Sequence, residues 1–342
     1  MKKVAFLAII SFITMTSCIS VQFANIDVQN PAKVTFPREV VNLVIVNNVP
    51  PIPKDKDAPA SEEILTMDSL SSVFVDSLAY YLDKQEFYGQ ILSYPKVIRT
   101  DYNSRTIKPL SKEQVQSITD EMKVDGLISI DLYQIQGSLD TQSAGYLSSI
   151  QELAIEIYVL IRAYTADGEE IQEPILFSDT LYWQGIPNIQ FKEYALPTLS
   201  EICTYVNGYA VEKALNAFVP FWSTEERAYF ANGSPLMNQA AKFVKENKWN
   251  DAISIWEEAY KSEKNQAKKV RIAYNLAVGY ETIDNISKAV TWIRAAKNSE
   301  GYLQHSDIRE QIDWYYKELL KREMQTKKLK EQIGITEVNT TD

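Results

Sequence analysis

Two stretches near the carboxy terminus carry the same pattern of small and aromatic residues, and that pattern admits few folds. Leu236 to Lys261 holds Ala240, Phe243, Trp249, Ala252, Trp256 and Ala259, and Ala273 to Asn298 holds Leu276, Ala277, Tyr280, Ala289, Ile293 and Ala296. Ala240 to Ala252 and Ala277 to Ala289 are each 12 residues apart, and Ala252 to Ala289 is 37. Spacings of three, four and seven put these residues on one face of a helix. Alanines let two helices approach closely, and aromatic rings fill the space between helix pairs. Residues 236–332 contain 18 Lys and Arg against 14 Asp and Glu, a net +4, whereas residues 1–235 contain 17 against 29, a net −12. Gly233-Ser234-Pro235 puts three turn formers together between these regions, so a domain boundary is expected there.

The pattern resembles the tetratricopeptide repeat, whose period is roughly 34 residues. Trp249-Asn250-Asp251-Ala252-Ile253 and Asn285-Ile286-Ser287-Lys288-Ala289-Val290 fall where that repeat has its turn and the start of its second helix. Both stretches lack the late proline of the consensus, and Gln239 stands where the first should have leucine. A further helix is expected over Asp307 to Gln332, with Ile308, Ile312, Tyr315 and Leu319 as the stripe that closes the open end of the stack. Beyond Leu320 the stripe fades into Lys321, Arg322, Lys327, Lys328 and Lys330, read as a solvated helix end, with contact to anionic lipid or to the acidic half of the chain as the alternatives.

The amino-terminal half has a different grain. Val40 to Val46 is a nearly continuous β-branched run, suited to a strand covered on both faces. Glu62 to Glu86 shows Leu65, Leu70, Val73, Phe74, Leu78, Tyr81 and Leu82 at helical spacing, and Val97-Ile98 reads as a short strand. Ser111 with Gln114, and Thr198 with Glu201, are capping boxes opening helices. Asp125-Gly126 is expected to end the first of these helices. Strands are expected over Leu127 to Tyr133, Leu153 to Tyr164 and Ile175 to Trp183, with Asp167-Gly168 at a hairpin tip. After Thr198, residues Leu199, Ile202, Val206, Ala210 and Leu215 mark a helix lying on the sheet, with Cys203 as a small buried hydrophobe. Pro220 to Phe230 fits a short helix capped by Ser223 and Glu226, or an edge strand; Trp222 reads as a core plug between domains, with ligand stacking as the lesser alternative. The fold class expected is α+β: a mixed-sheet α/β domain over 38–232, then an all-α tetratricopeptide-like domain over 236–332 and a tail over 333–342.

The first residues decide where the chain resides. Lys2 and Lys3 precede an apolar run from Val4 to Met15 that is too short to span a bilayer, so 1–17 is expected to be a secretory signal. It ends Met15-Thr16-Ser17-Cys18, which resembles the bacterial lipobox and implies that Cys18 is acylated and becomes the mature amino terminus. Two or more acyl chains hold stably in a membrane. Residues 18–37, with Pro31 and Pro37, read as a tether. Asp does not follow Cys18, and there is no acidic cluster of the kind that exports Bacteroidetes lipoproteins to the surface. The expected address is the outer membrane facing the periplasm, with the cell surface as the alternative.

Chemistry is hard to place. His305 is the only histidine and there are two cysteines, so a Ser-His-Asp or Cys-His device depends wholly on His305. There is no His-Glu-x-x-His, no paired-cysteine spacing, no phosphate loop and no dinucleotide fingerprint. The expectation is a non-enzyme with no metal and no cofactor. A net charge of −10 argues against nucleic acid as a partner. Asp68-Ser69-Leu70, Asp76-Ser77-Leu78 and Asp179-Thr180-Leu181 match a short O-glycosylation pattern of exported Bacteroidetes proteins, loose enough to recur by chance.

The capped helix from Ser111 through Val124-Asp125-Gly126 into the strand to Leu132 resembles the small α/β modules of Gram-negative envelope lipoproteins, among them the curli-secretion lipoprotein and the amino-terminal domain of the Tol-system propeller protein. The whole arrangement of lipobox, α/β module and short helical tail resembles uncharacterised envelope lipoproteins of Bacteroidetes. These resemblances imply docking or assembly: a protein-binding or scaffold component holding an envelope protein or peptide. The alternative is a surface glycan-capture lipoprotein, for which 6 Trp and 20 Tyr supply stacking area.

Overall fold

The computed structural model describes residues 20–50, 67–99, 106–143, 149–185, 187–188, 193–194, 196–299 and 306–334. Along them run β1 (Val21–Asn30), β2 (Leu43–Asn47), α1 (Met67–Asp83), β3 (Ile91–Ser93), α2 (Lys112–Met122), β4 (Gly126–Ser143), β5 (Ser149–Thr165) and β6 (Ile175–Gly185). Then come β7 (Pro187–Asn188), β8 (Glu193–Tyr194), α3 (Leu199–Phe218), β9 (Phe221–Phe230), α4 (Pro235–Lys245), α5 (Trp249–Ser262), α6 (Gln266–Thr282), α7 (Ile286–Lys297) and α8 (Ser306–Gln332). The class is α+β, with a helical carboxy-terminal region. The chain divides into two compact units, Pro31–Phe221 and a second made of Met1–Asn30 with Trp222–Asp342.

The first unit is built on a five-stranded mixed sheet in the order β3-β2-β4-β5-β6. β2 runs parallel to β3 and β4, and β5 is antiparallel to β4 and β6. The β2 run is covered on both faces as its composition requires. Leu43 and Ile45 pack with Leu70, Phe74 and Leu78 of α1 and with Val206 and Ala210 of α3. Val44 and Val46 pack on the other side with Val115 and Ile118 of α2. The β4–β5 pairing slips between Ile130 and Leu132, leaving Asp131 as a bulge residue. Its buried carboxylate accepts from Ser129 Oγ (2.5 Å), Asn48 Nδ2 (2.9 Å) and Arg162 Nε (2.8 Å). Burial pushes this carboxyl above its ordinary pKa, against the pull of those donors.

Both capping boxes are present. Ser111 Oγ accepts from the Gln114 N–H while the Gln114 side chain accepts from the Ser111 N–H, and Thr198 and Glu201 repeat the exchange. Ser111→Ala is expected to cost about 1 kcal/mol, measured as a lower urea midpoint; an unchanged midpoint would show that the cap contributes nothing.

Several sequence expectations are corrected. The helix α2 ends at Lys123, which itself takes the left-handed conformation (φ 55°) and donates its N–H to Thr119. Gly126 is a strand residue, and glycine is needed there because a Cβ would meet Leu43 Cδ2 and Val40 Cγ1 at 2.9 Å. Gly168 does use a positive φ (84°), between β5 and β6. Val97-Ile98 is not a strand: the strand beside β2 is Ile91–Ser93, and Val97 is 79% exposed. A short apolar pair has no ladder without a partner edge, and β2 offers that edge to β3. Val73, Tyr81 and Leu199 are exposed instead of facing the core. Helix α1 is described from Met67, and Leu65 lies outside the described residues.

The expected tether also takes a different form. Residues 21–30 form β1, which pairs with β9 in a two-stranded ribbon. Contacts from Ser20 to Ala231, Gln22 to Tyr229 and Asn30 to Ser223 show that the strands run antiparallel. Ile26, Val28, Tyr229 and Phe230 share one core with α4–α8, so the ribbon belongs with the helices rather than with 38–232. At Gly233-Ser234-Pro235, Ser234 caps α4 through the Met237 N–H, with Pro235 in the first turn, where a missing N–H is harmless. The edge-strand reading of 220–230 holds and the helix reading does not.

Candidate functional site

Cys18 and His305 lie outside the described residues. Cys203 is buried on α3, and burial raises its thiol pKa. The twelve repeat residues all lie in or against one core. Ala240, Ala252, Trp256, Leu276, Ala277, Ala289, Ile293 and Ala296 are fully buried, Trp249, Ala259 and Tyr280 nearly so, and Phe243 packs on the edge. Tyr280 donates to Glu257 (2.6 Å); burial first, then that carboxylate, pushes the phenol up to about 12. Helices α4 with α5 and α6 with α7 are neighbouring pairs, and α8 follows against α7. Gly279 lets α6 close on α5, since a Cβ there would meet Ile253 Cγ1 at 2.7 Å.

The two pairs turn alike. Asn247 between α4 and α5 takes φ 57°, and Asp284 between α6 and α7 takes φ 58°. Each stands five residues before the matching alanine, Ala252 or Ala289. Both residue types tolerate the left-handed region better than most. These equivalent turns both line a cleft of about 570 Å³, completed by Asn25, Asp27 and Gln29 of β1, Trp222 of β9, and Arg322 and Thr326 of α8. Trp222 is therefore not a core plug: it is 67% exposed and lines this cleft.

Beneath the cleft sits a buried charge cluster. Glu281, fully buried at the end of α6, accepts from Arg227 Nε (2.9 Å) and from the terminal Nη2 (3.0 Å), a bidentate pair. Tyr315 Oη donates to the same carboxylate (2.6 Å). Arg322 comes within 3.8 Å of Glu281 through Nε, and its Nη1 donates to the Gln29 carbonyl (3.1 Å). The Nε itself is buried with no hydrogen-bond partner among the described residues. Burial alone would lower the Arg227 guanidinium; the bonds and charge of Glu281, with Tyr315 and Glu225, outweigh it and hold Arg227 above its ordinary value. For Arg322 burial wins and the pKa falls. Burial drives Tyr315 far up, with Glu281 adding to it. Nearby, the Asn275 side chain donates to the Phe230 carbonyl (2.7 Å) and accepts from its N–H (2.8 Å), so an amide satisfies the last residue of β9 as a neighbouring strand would.

The sequence reading expected the stripe on α8 to fade after Leu320, but Arg322 and Leu329 are buried and continue it. The cleft was missed because its walls come from residues 25 to 329. The available signals were Trp222 in an alternating strand and an arginine at stripe spacing from Tyr315 and Leu319. Among the described residues no group of three or more His, Cys, Asp or Glu is placed to hold a metal ion, and no helix is long and apolar enough to cross a membrane.

Residues 40–230 match a domain of unknown function (DUF8603), and residues 238–321 match a second (DUF6340). No curated protein matches the chain. Among solved structures, a minor lipoprotein from Acinetobacter baumannii is 11% identical, with 60% of this chain and 94% of that one covered and a TM-score of 0.22. A putative neuraminyllactose-binding hemagglutinin homolog from Helicobacter pylori is 10% identical, covering 66% and 93%, with a TM-score of 0.25. Lipoprotein GNA1162 from Neisseria meningitidis is 12% identical, covering 52% and 99%, with a TM-score of 0.20. TM-scores this low do not establish a common fold.

Proposed function

We propose that this chain, which belongs to the DUF8603 family, is a lipid-anchored, non-catalytic binding or scaffold component of the outer envelope. The lipobox ending at Cys18 supports the anchor, and the residues after it favour the periplasmic face of the outer membrane. The partner is an envelope protein or peptide held by the tetratricopeptide-like helices. The observation that carries this reading is the pair of equivalent helical hairpins: their apolar residues are spent on one internal core, which leaves a polar outer surface of fixed spacing. The buried carboxylates are bound to arginines, Glu281 to Arg227 and Asp131 to Arg162, which suits structure rather than acid–base work.

The test is chemical crosslinking in intact cells followed by affinity capture of the full chain. Wild type is expected to recover a defined envelope protein, and Cys18→Ala to lose both acyl labelling and that capture. Recovery of no envelope protein, or release of unlabelled wild type into the soluble fraction, overturns the reading. A second reading, glycan capture at the cell surface, is favoured by the exposure of Trp222; rapid loss of the chain on proteinase treatment of intact cells would support that address.

A further inference from the structure

The cleft mixes hydrogen-bond donors and acceptors in a way that narrows its ligand. The Asn25 and Asn250 amides line it with no hydrogen-bond partner among the described residues, each offering both kinds of group. Asn247 gives its carbonyl oxygen to Trp249 Nε1 (2.8 Å), which leaves its NH₂ as a donor. Arg322 is 6% exposed and lines the cleft; its Nη1 donates to the Gln29 carbonyl (3.1 Å) and its Nη2 stands 4.0 Å from Asp284, so the guanidinium brings a charged donor to the cleft wall. Asp27 and Asp284 ask instead for donors: Asp27 has one, the Thr224 hydroxyl at 3.1 Å, and Asp284 stands 4.0 Å from Arg322.

Among the described residues of the lining, an anion would meet Asp27, Glu281 and Asp284 against one cation, Arg322, and no lysine. A cation would bring donors only and leave Arg322 and the amides unmet. Hydroxyl groups donate and accept at once, so a ligand carrying several of them on a rigid frame satisfies both sets. Trp222 adds an open indole face, on which the C–H face of a sugar ring can stack while its hydroxyls point outward. The volume of about 570 Å³ is in the ordinary range for small-ligand sites.

We infer that this cleft binds a neutral saccharide, stacked on Trp222 and bonded through its hydroxyls to the Asn25 and Asn250 amides and to Arg322. The site deepens the glycan reading of Trp222 and rests on it; it is independent of the scaffold reading and of the cell-surface address, because sugar titration, capture of an envelope protein and proteinase treatment of cells are separate measurements.

The full acylated chain, in a detergent without a sugar headgroup, is titrated calorimetrically with maltotetraose, cellotetraose and chitotetraose. Saturable heat is expected with at least one. Trp222→Ala is expected to weaken that binding about tenfold or more and Asn250→Ala several-fold, while the melting temperature of each stays at the wild-type value, because both side chains lie on the surface. No saturable heat with any of the three sugars overturns the proposal. So does a Trp222→Ala variant that binds as wild type. A saturable response to a trilysine peptide with none to the sugars overturns it in favour of a basic peptide. None of these outcomes bears on partner capture, so the two readings fail separately.

Discussion

Glu281→Ala is expected to destabilise the helical unit by about 3–5 kcal/mol, because it strips two buried guanidinium groups of their counter-charge. Among the described residues Arg227 would keep Glu225 at 3.5 Å, a carbonyl contact to Glu226 and the Tyr315 ring, and Arg322 would keep the Gln29 carbonyl and the distant Asp284. The Tyr315 hydroxyl, fully buried, would lose its acceptor as well. Denaturant unfolding of the full chain reads this as a fall in the midpoint of the transition that includes the tryptophan-rich helices. Replacing Arg227 and Glu281 together by Met and Leu should recover much of the loss, since an apolar pair of similar volume carries no orphaned charge. A Glu281→Ala chain within about 1 kcal/mol of wild type would mean that water reaches the cluster and solvates the arginines.

Trp256→Ala is expected to cost about 3–5 kcal/mol, the range for deleting a large buried aromatic ring. Trp256 is fully buried on α5, with its Cζ3 facing the closest approach of α6 at Gly279. Its Nε1–H has no partner among the described residues. Trp256→Phe therefore separates two effects: it keeps most of the ring and removes the unpaired donor, so it should cost far less than alanine. Equal losses for the two variants would show that a phenyl ring recovers none of the indole's packing and would overturn this account.

Local rules reached far along this chain. Ser111 with Gln114 and Thr198 with Glu201 mark helix starts because a cap involves residues three apart, and both are found in place. The hydrophobic run around Leu43 to Val46 announced a strand buried on both faces, since burial on one face would have required alternation. The order of elements in the first unit followed from such signals. Pairing did not. Val21 to Asn30 looked like a tether because its partner strand is some 200 residues away, as the contact of Gln22 with Tyr229 shows. Val97-Ile98 had the composition of a strand but no edge to join.

The candidate site was legible only in outline. The 37-residue spacing of Ala252 and Ala289 implied matching turns, and Asn247 and Asp284 do share one backbone conformation. Trp222 offered two readings from its sequence alone, and its open position in the cleft wall excludes the core plug.

Periodicity, caps and turn chemistry act over a few residues, so the amino-acid order alone determined the helices, most strands and the two-part α+β character. Which strand the amino-terminal segment joins, which arginines surround Glu281, and which side chains open into one cleft were settled by tertiary structure. Those depend on contacts between distant residues, as between Arg227 and Glu281 or Gln29 and Arg322. A buried charge or an open tryptophan shows no local periodicity; its surroundings exist only once the chain has closed around it.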